Sequence, residues 1–319
     1  MNAGVTSLPP RFLHDAFAWM RGLRRMGAPM SEYTSLRVGG VADLFLAPAD
    51  LEELRRVMGW SQVHGVPVIW LGRGSNLIVR DQGIRGIVVS LQDALHDLTL
   101  TGPCNQFDRR PGEFMSLRAG AGVPLSRVLH VMIREGLEGL AFAVGIPGTV
   151  GGAVVMNAGT EVGATWDVVE RVRLLLADGR LVEVSRDEVR TGYRTAALPE
   201  QSVVLEATFR AVQGSPERVR EEVRALYRRR LESQPLAHPN AGSIFKNPAG
   251  EHAGRLIEQA GLKGYRIGDA QVSTKHANFI VNLGQASAAE VLALIGHIKR
   301  RVQAHAGLLL EEEVRIVGE

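Results

Sequence analysis

The chain has 319 residues, 45% hydrophobic and 22% charged, long enough for two or three domains around a large buried core. Its 37 Lys and Arg against 34 Asp and Glu leave a formal charge of +3, and the interleaving of the two signs, with only four Trp and four Tyr, excludes a basic nucleic-acid stripe lined by stacking aromatics. One cysteine, Cys104, excludes an internal disulfide and points to a reducing compartment, while no apolar run of about 18 residues and no leader pattern place the expected chain in the cytoplasm, away from membrane.

The first ten residues carry no pattern. Residues 11–27, "RFLHDAFAWMRGLRRMG", set Phe12, Phe17, Trp19, Met20, Leu23 and Met26 at helix-like spacing. "DLFLAPAD" reads as a strand closed by Pro48, after which Asp50 caps a helix running through His64. "VPVIWLG" is a buried strand that empties into Gly72 to Asn76, and "GIRGIVVSL" is another. A polar loop, 103–113, holds Cys104 in a setting that suits a structural thiol better than a nucleophile. Beyond it, "FMSLRAG" is a strand and a helix starts near Ser126, ended by Gly136 and Gly139. "RVRLLLADGRLVEVS" is a hairpin about Asp178-Gly179, followed by the strand "SVVLEATFRAV". A boundary falls at Gln213 to Pro216. Ser215-Pro216-Glu217 then starts a helix with Val219, Val223 and Leu226 on its apolar stripe; its end, Tyr227 to Arg230, reads as solvated cations at a helix C-terminus. Ser287 and Glu290 form a capping box before Val291, Leu294, Ile295, Ile298 and Val302, with Gly307 as the stop, and "LLLEEEVRIVGE" closes the chain as a strand. These elements make an α+β protein of about three lobes.

Two glycine-rich segments carry the chemistry: "LGRGSNLIVRD" (Leu71 to Asp81) and "VGIPGTVGGAVVMNAG" (Val144 to Gly159). Charge-free, flexible backbone lets main-chain N–H groups approach a ligand closely, phosphate above all. Neither segment is a Walker loop, and Leu77 stands where a dinucleotide fingerprint would need its third glycine. Two such loops in one half of the chain suit the pyrophosphate of an extended dinucleotide, FAD rather than ATP. Ser75 and Asn76 would add side-chain donors, and Gly151-Gly152 would admit a flat ring. The nine histidines lack paired ligand spacing, His252 and His276 lying far apart, so no metal is expected; no Gly-x-Ser-x-Gly elbow occurs either. "HPNAGSIFKNP" (His238 to Pro248) is a constrained turn able to present Ser243. "TGYRTAAL" puts Tyr193 and Arg194 outside any amphipathic pattern. Glu313, set in the closing strand among Leu310, Val314 and Ile316, is a partly buried carboxylate that needs a partner.

Taken in order, "YTSLRVGGVAD", "LGRGSNLIVRD", "GIPGTVGGAVVMNAG", "GYRTAAL", "QPLAHPNAGSIFKNP", "AGLKGYRIGDAQVSTKHANFIVN" and "EEEVRIVG" resemble the UDP-N-acetylenolpyruvoylglucosamine reductase (MurB) family over nearly everything after residue 30. The resemblance implies an α+β, three-lobed flavoprotein: a tail and helix at 1–30, two lobes (31–100, joined by 307–319, and 101–212) forming a vanillyl-alcohol-oxidase/PCMH-type FAD unit, and an α+β substrate lobe at 213–306. It implies NADPH-dependent reduction of UDP-N-acetylglucosamine enolpyruvate in peptidoglycan precursor synthesis, hence a part in cell-wall biogenesis, cell shape and division. FAD would be held without a covalent bond by Leu71, Gly72, Arg73, Gly74, Ser75, Asn76, Leu77, Gly145, Ile146, Pro147, Gly148, Thr149, Gly151, Gly152, Ala153, Asn157, Ala158, Gly159 and Arg315. Arg194 would neutralise the substrate carboxylate, Glu313 would polarise the same group, and Ser243 would protonate the carbon beside it. A serine hydroxyl is a poor acid in water, and Lys246 is the nearest cation in sequence to favour its alkoxide. Tyr193, Lys246, Asn247, Lys275 and His276 fall at positions lining the nucleotide-sugar pocket.

Three features depart from the family pattern. Thr195 stands where serine is common, and Asp269 where a second glycine is frequent. The short spacing from Arg194 to Ser243 matches the variant without an extra inserted element. A monomer is expected. Two other readings compete: another FAD-dependent oxidoreductase of the same superfamily, and a catalytically silent regulator that binds FAD or a nucleotide sugar. Retention of Arg194, Ser243 and Glu313 speaks against the second.

Overall fold

The computed structural model describes residues 9–102 and 110–319; Cys104 and most of its loop lie outside the described residues. The helices are α1 (Pro10–Ala16), α2 (Leu51–His64), α3 (Leu125–Glu135), α4 (Val150–Met156), α5 (Pro216–Ser233), α6 (Ala253–Gln259) and α7 (Ala288–Ala306). Local chemistry sets several of their ends. Asp50 accepts the Glu53 N–H at 2.9 Å to start α2, which Gly65 ends in the left-handed region. Gly136 and Gly307 end α3 and α7 in the same way. The α7 start combines the expected capping box of Ser287 and Glu290 with a second anion from outside the helix: Asp81 accepts the N–H groups of Ala288 at 2.8 Å and Ala289 at 2.7 Å.

Residues 11–27 do not form the single helix that their spacing suggests. α1 stops at Ala16, and Leu23–Pro29 is a strand. Gly22 explains the break: its backbone lies so close to Ala47 that a Cβ would sit 2.1 Å from the Ala47 carbonyl oxygen, an approach that a helix carrying side chains could not make.

The sheets are largely antiparallel. A four-stranded sheet runs in the order Leu23–Pro29, Val41–Ala47, Ile84–Ser90, Val68–Leu71. A six-stranded sheet runs Leu181–Ser185, Val169–Leu175, Val203–Gln213, Phe114–Gly120, Leu98–Thr101, with Leu137–Glu138 also on Val203–Gln213. The predicted hairpin is there, with Leu175 opposite Leu181 across the turn.

The chain forms two compact units. The first comprises the described parts of Met1–Arg25, Phe45–Gly72 and Val88–Arg228; it holds the six-stranded sheet, with α4 packed on strand Val203–Gln213. The second comprises Met26–Leu44, Arg73–Ile87 and Arg229–Glu319. Its antiparallel sheet runs Asn240–Ser243, Phe279–Asn282, Ala270–Val272, Arg266–Ile267, and α6 and α7 pack together beside it. The predicted stripe of α7 (Val291, Leu294, Ile295, Ile298, Val302) is buried there against Ile244, Phe245, Val272, Ile280, Leu310 and Val314. Each such side chain contributes about 1.5–3 kcal/mol.

The closing strand is shorter than its sequence suggests. Its ladder is Arg315–Val317, parallel to Leu77–Val79; Glu313 precedes it, and Glu312 forms an isolated antiparallel bridge with Phe245. Among the described residues, no helix is long and apolar enough to cross a membrane, and no group of three His, Cys, Asp or Glu could hold a metal ion.

Candidate functional site

In the first unit the two glycine-rich segments touch. A Cβ on Gly72 would lie 2.6 Å from Thr149 Oγ1, so only glycine lets the end of strand Val68–Leu71 pass the start of α4. Thr149 is buried and caps α4 by accepting the Gly152 N–H at 3.4 Å. The loop 121–125 fixes the segment from below. Val150 and Gly151 donate to the carbonyls of Val123 and Ala121, and Gly148 accepts from Leu125. Among the described residues, no protein acceptor takes the N–H groups of Gly145, Gly148 and Thr149. Gly151 and Gly152 differ: a Cβ on Gly151 would meet Ala121 Cβ at 2.8 Å, whereas Gly152 is exposed and a Cβ there would meet only Thr149 Oγ1, at 3.6 Å. Gly151 is therefore a packing glycine, and Gly152 is the position where open surface borders the backbone. Leu71 and Ala153 are buried, Ile146 is half-buried and Pro147 is exposed.

Asn157, grouped by resemblance with cofactor residues, is buried and satisfied by protein. It ends α4 in the left-handed region (φ 41°), its Nδ2 donates to the Gly192 carbonyl at 2.9 Å, and its Oδ1 accepts the Trp166 N–H at 3.1 Å. Ala158 and Gly159 are likewise bound into the fold, the Ala158 carbonyl accepting from Thr165 and Gly159 pairing with Ala164. Asn157 thereby anchors a two-residue hairpin, Thr191-Gly192 against Thr195-Ala196, with Tyr193 and Arg194 at its tip. Arg194 has φ 57°, uncommon for a residue with a side chain and the kind of backbone cost that persists at functional sites. Its guanidinium lies 5.1 Å from the Tyr193 ring centre. Thr195 is exposed, at the foot of the same turn.

In the second unit, the segment expected as a turn around Ser243 is the end of a strand. Asn240 pairs with Val281 and Ser243 with Phe279, so one extra residue bulges between them, with Gly242 at φ 75°. The bulge re-aims the chain as it leaves the sheet. The Ile244 carbonyl then accepts two successive N–H groups, from Glu313 at 2.8 Å and Val314 at 3.4 Å, and Lys246 N–H donates to the Glu311 carbonyl at 2.9 Å. Ile244, the residue after Ser243, is thus joined to Glu313 through its main-chain carbonyl. Asn76 completes the join, its Nδ2 donating to the Glu313 carbonyl at 3.1 Å and its own carbonyl accepting the Arg315 N–H at 3.0 Å. Arg73 to Asn76 present four successive N–H groups that meet no protein acceptor among the described residues, a run suited to an anion. Leu77 is buried in the strand that follows.

The remaining candidates have partners that sequence does not reveal. Lys246 Nζ pairs with Glu311, and Lys299 Nζ with Glu312 at 2.8 Å, so two of the three consecutive glutamates serve lysines. Asn247 Oδ1 accepts the Ala253 N–H at 3.0 Å and caps α6 in place of His252, which makes no side-chain cap. Lys275 Nζ donates to the Leu231 carbonyl. Ser273 Oγ accepts the N–H groups of Lys275 at 3.1 Å and His276 at 3.2 Å, folding that turn. His276 is held neutral: burial, and then the nearby Lys263, push its pKa below the ordinary histidine value. The Asn278 N–H donates to His276 Nδ1, which leaves the ring proton on Nε2. Arg228 and Arg229 are solvated as expected, but Arg230 is partly buried, donates to Gln234 Oε1, and has its pKa lowered by that burial. Asp269 fits without glycine's freedom, because it pairs with Arg266 and accepts the Gln285 N–H at 2.9 Å.

Residues 234–317 match a family model described as "UDP-N-acetylenolpyruvoylglucosamine reductase, C-terminal domain", and residues 42–185 one described as "FAD binding domain". The UDP-N-acetylenolpyruvoylglucosamine reductase of Geobacter metallireducens is 44% identical over 302 residues, 95% of this chain and 96% of that protein. The chain belongs to the UDP-N-acetylenolpyruvoylglucosamine reductase family. The reductase of Halalkalibacterium halodurans is 40% identical over 92% of this chain and 94% of its own length. The crystal structure of the Thermus caldophilus reductase (MurB) superposes with a TM-score of 0.75 at 36% identity, over 94% of this chain and all of that one. The expected fold class therefore holds: an α+β flavoprotein with a PCMH-type FAD-binding unit. Sequence reasoning missed the side chains that bind distant backbone in the second unit: Asp81, Asn278 and Asn282. Asn282 donates to the Leu36 carbonyl at 3.1 Å and accepts from Gly284 and Ala286. The available signal was a polar amide flanking the apolar run Phe279-Ile280-Val281, which a buried strand tolerates only when the amide is satisfied.

Proposed function

We infer that this chain reduces UDP-N-acetylglucosamine enolpyruvate to UDP-N-acetylmuramate in peptidoglycan precursor synthesis, using NADPH and non-covalent FAD, in the cytoplasm. The observation that carries the reading is the end-to-end match: 44% identity across 96% of a named reductase. When bound, FAD would supply the hydride chemistry that links NADPH to the methylene carbon of the enolpyruvyl ether. The residues present fit such a group. The N–H groups of Gly145, Gly148 and Thr149, and those of Arg73 to Asn76, are available for phosphate oxygens, and Gly152 offers open backbone to a flat ring. Arg315, exposed beside Leu77, suits a phosphate as well.

Negative charge builds on the carbon beside the methylene and on its carboxylate. Arg194 holds that carboxylate with a planar, permanently charged fork. Glu313 polarises the same group. Ser243 delivers the proton to the carbon; it is half-buried, and its hydroxyl is taken by no protein group among the described residues. Tyr193, Lys246, Asn247, Lys275 and His276 hold the nucleotide sugar. The lobes at 31–100 with 307–319 and at 101–212 serve the cofactor, and 213–306 serves the sugar; the FAD-binding match at 42–185 supports a cofactor role for the earlier part of the chain. The test is product analysis. Incubation with NADPH and the enolpyruvyl sugar should yield a sugar nucleotide heavier by two hydrogens. NADPH consumption without that product would overturn the substrate assignment.

A further inference from the structure

Strand Asn240–Ser243 ends at the proposed proton donor, directly after its bulge, so the sheet ladder no longer fixes the next residues. Something else must, because a hydroxyl that donates to carbon tolerates little displacement: a shift of about 1 Å can cost about a hundredfold in rate. On one edge Phe245 bridges to Glu312, between the Ile244 bond to Glu313 and the Lys246 bond to Glu311; on the other edge the structure supplies one residue for the task. Asn278 is 4% exposed, and its side-chain amide reads the Phe245 backbone in both directions. The Phe245 N–H donates to Asn278 Oδ1 at 3.0 Å, and Asn278 Nδ2 donates to the Phe245 carbonyl at 2.8 Å. These two bonds copy the pairing that a neighbouring strand's peptide unit would make. The Asn278 main chain adds a third, its carbonyl accepting the Ile244 N–H at 2.9 Å. Of the four main-chain polar groups of Ile244 and Phe245, three therefore go to Asn278, and the fourth, the Ile244 carbonyl, goes to Glu313 and Val314.

We propose that Asn278 is the positioning residue for the Ser243 proton donor, acting as a side-chain substitute for a missing strand and holding Ser243 in register with Glu313. Asn278 touches no reacting atom. The proposal rests on the reading of Ser243 as donor, and its consequence is confined to one half of the reaction. Reduction of the enzyme by NADPH needs no proton from Ser243, whereas oxidation by the enolpyruvyl sugar does.

The test is anaerobic stopped-flow on the FAD-loaded enzyme, each half-reaction measured separately for Asn278→Ala, Asn278→Asp and Ser243→Ala. Asn278→Asp keeps the shape and the acceptor for the Phe245 N–H but loses the donor to the Phe245 carbonyl. Both Asn278 variants should be reduced by NADPH within about twofold of the parent rate. Oxidation by the sugar should slow about ten- to a hundredfold, with little change in the sugar concentration giving half-saturation and a larger solvent deuterium isotope effect. Equal slowing of both half-reactions, or an unchanged oxidation rate, would overturn the positioning role. Loss of the fold in both variants would overturn it too, since the amide would then hold the domain rather than the donor. If Ser243→Ala oxidises at the parent rate, the donor assignment itself fails; if it is slow while both Asn278 variants are normal, only the positioning role fails.

Discussion

Replacing Gly152 with alanine separates the cofactor surface from the fold. Position 152 lies in the first turn of α4, and a Cβ there would meet Thr149 Oγ1 at 3.6 Å, an ordinary contact. Alanine is preferred over glycine in a helix by about 1 kcal/mol. The FAD-free protein should therefore be as stable as the parent or up to about 1 kcal/mol more stable. The methyl group would, however, project into the space proposed for the cofactor ring. Forcing an extra methyl into a filled contact costs about 1–3 kcal/mol, and with about 1.4 kcal/mol per factor of ten, FAD affinity should fall about 5- to 150-fold. Fluorescence titration of FAD into deflavinated protein reads the affinity, and urea unfolding of the same protein reads the fold. Gly72→Ala gives the opposite pattern: its Cβ would lie 2.6 Å from the buried Thr149 Oγ1, so the FAD-free protein itself should lose about 1–3 kcal/mol. If Gly152→Ala binds FAD as tightly as the parent, the cofactor surface lies elsewhere.

Asp81→Ala removes the acceptor for two N–H groups at the start of α7 and should lower unfolding free energy by about 1–2 kcal/mol in urea titrations while leaving kcat within about twofold. Asn157→Gly keeps the left-handed backbone but leaves the Gly192 carbonyl and Trp166 N–H without their side-chain partner. Sugar turnover should fall about tenfold or more as the Arg194 hairpin loosens, and a rate equal to the parent's would show that the hairpin is held by other contacts. The lowered pKa of His276 means that the unfolded chain binds its proton first as pH falls below about 6.5. The stability that the neutral ring contributes is full above that pH and is lost as pH drops toward the lower folded value. Lys263 and Glu258 lie near enough to bias this titration in opposite directions. Unfolding at pH 7.5 and pH 5.5 should therefore show a smaller pH difference for His276→Gln than for the parent, and equal differences would show that His276 does not titrate with folding.

The elements that could be read from the sequence are those whose boundaries are set by their own residues. Asp50 and Gly65 delimit α2, Ser287, Glu290 and Gly307 delimit α7, and the apolar stripe of α7 enters the core as its spacing requires. What escaped is set by distant partners. The strand at Leu23–Pro29 depends on Gly22 meeting Ala47, and no local pattern reports that approach. The bulge at Gly242 is defined only by pairing with Val281 and Phe279. Candidate site residues divide the same way. Glycines and chemically marked side chains such as Ser243, Arg194 and Glu313 stand out as residue types in unusual settings. The amides that hold them, Asn157 and Asn278, look like ordinary polar residues until their backbone partners, 35 and 33 positions away, are known. For Asn157 the geometry adds a role that motif position does not report: both ends of its amide are committed to protein backbone.

The most direct test of the proposed activity is the visible spectrum of the purified protein under anaerobic conditions, followed through addition of NADPH and then of UDP-N-acetylglucosamine enolpyruvate. The flavin bands should bleach with NADPH and return in full, one equivalent for one, with the enolpyruvyl sugar. A flavin that bleaches but stays reduced when that sugar is added would contradict the assigned substrate, and a protein that takes up no FAD would contradict the cofactor site as well.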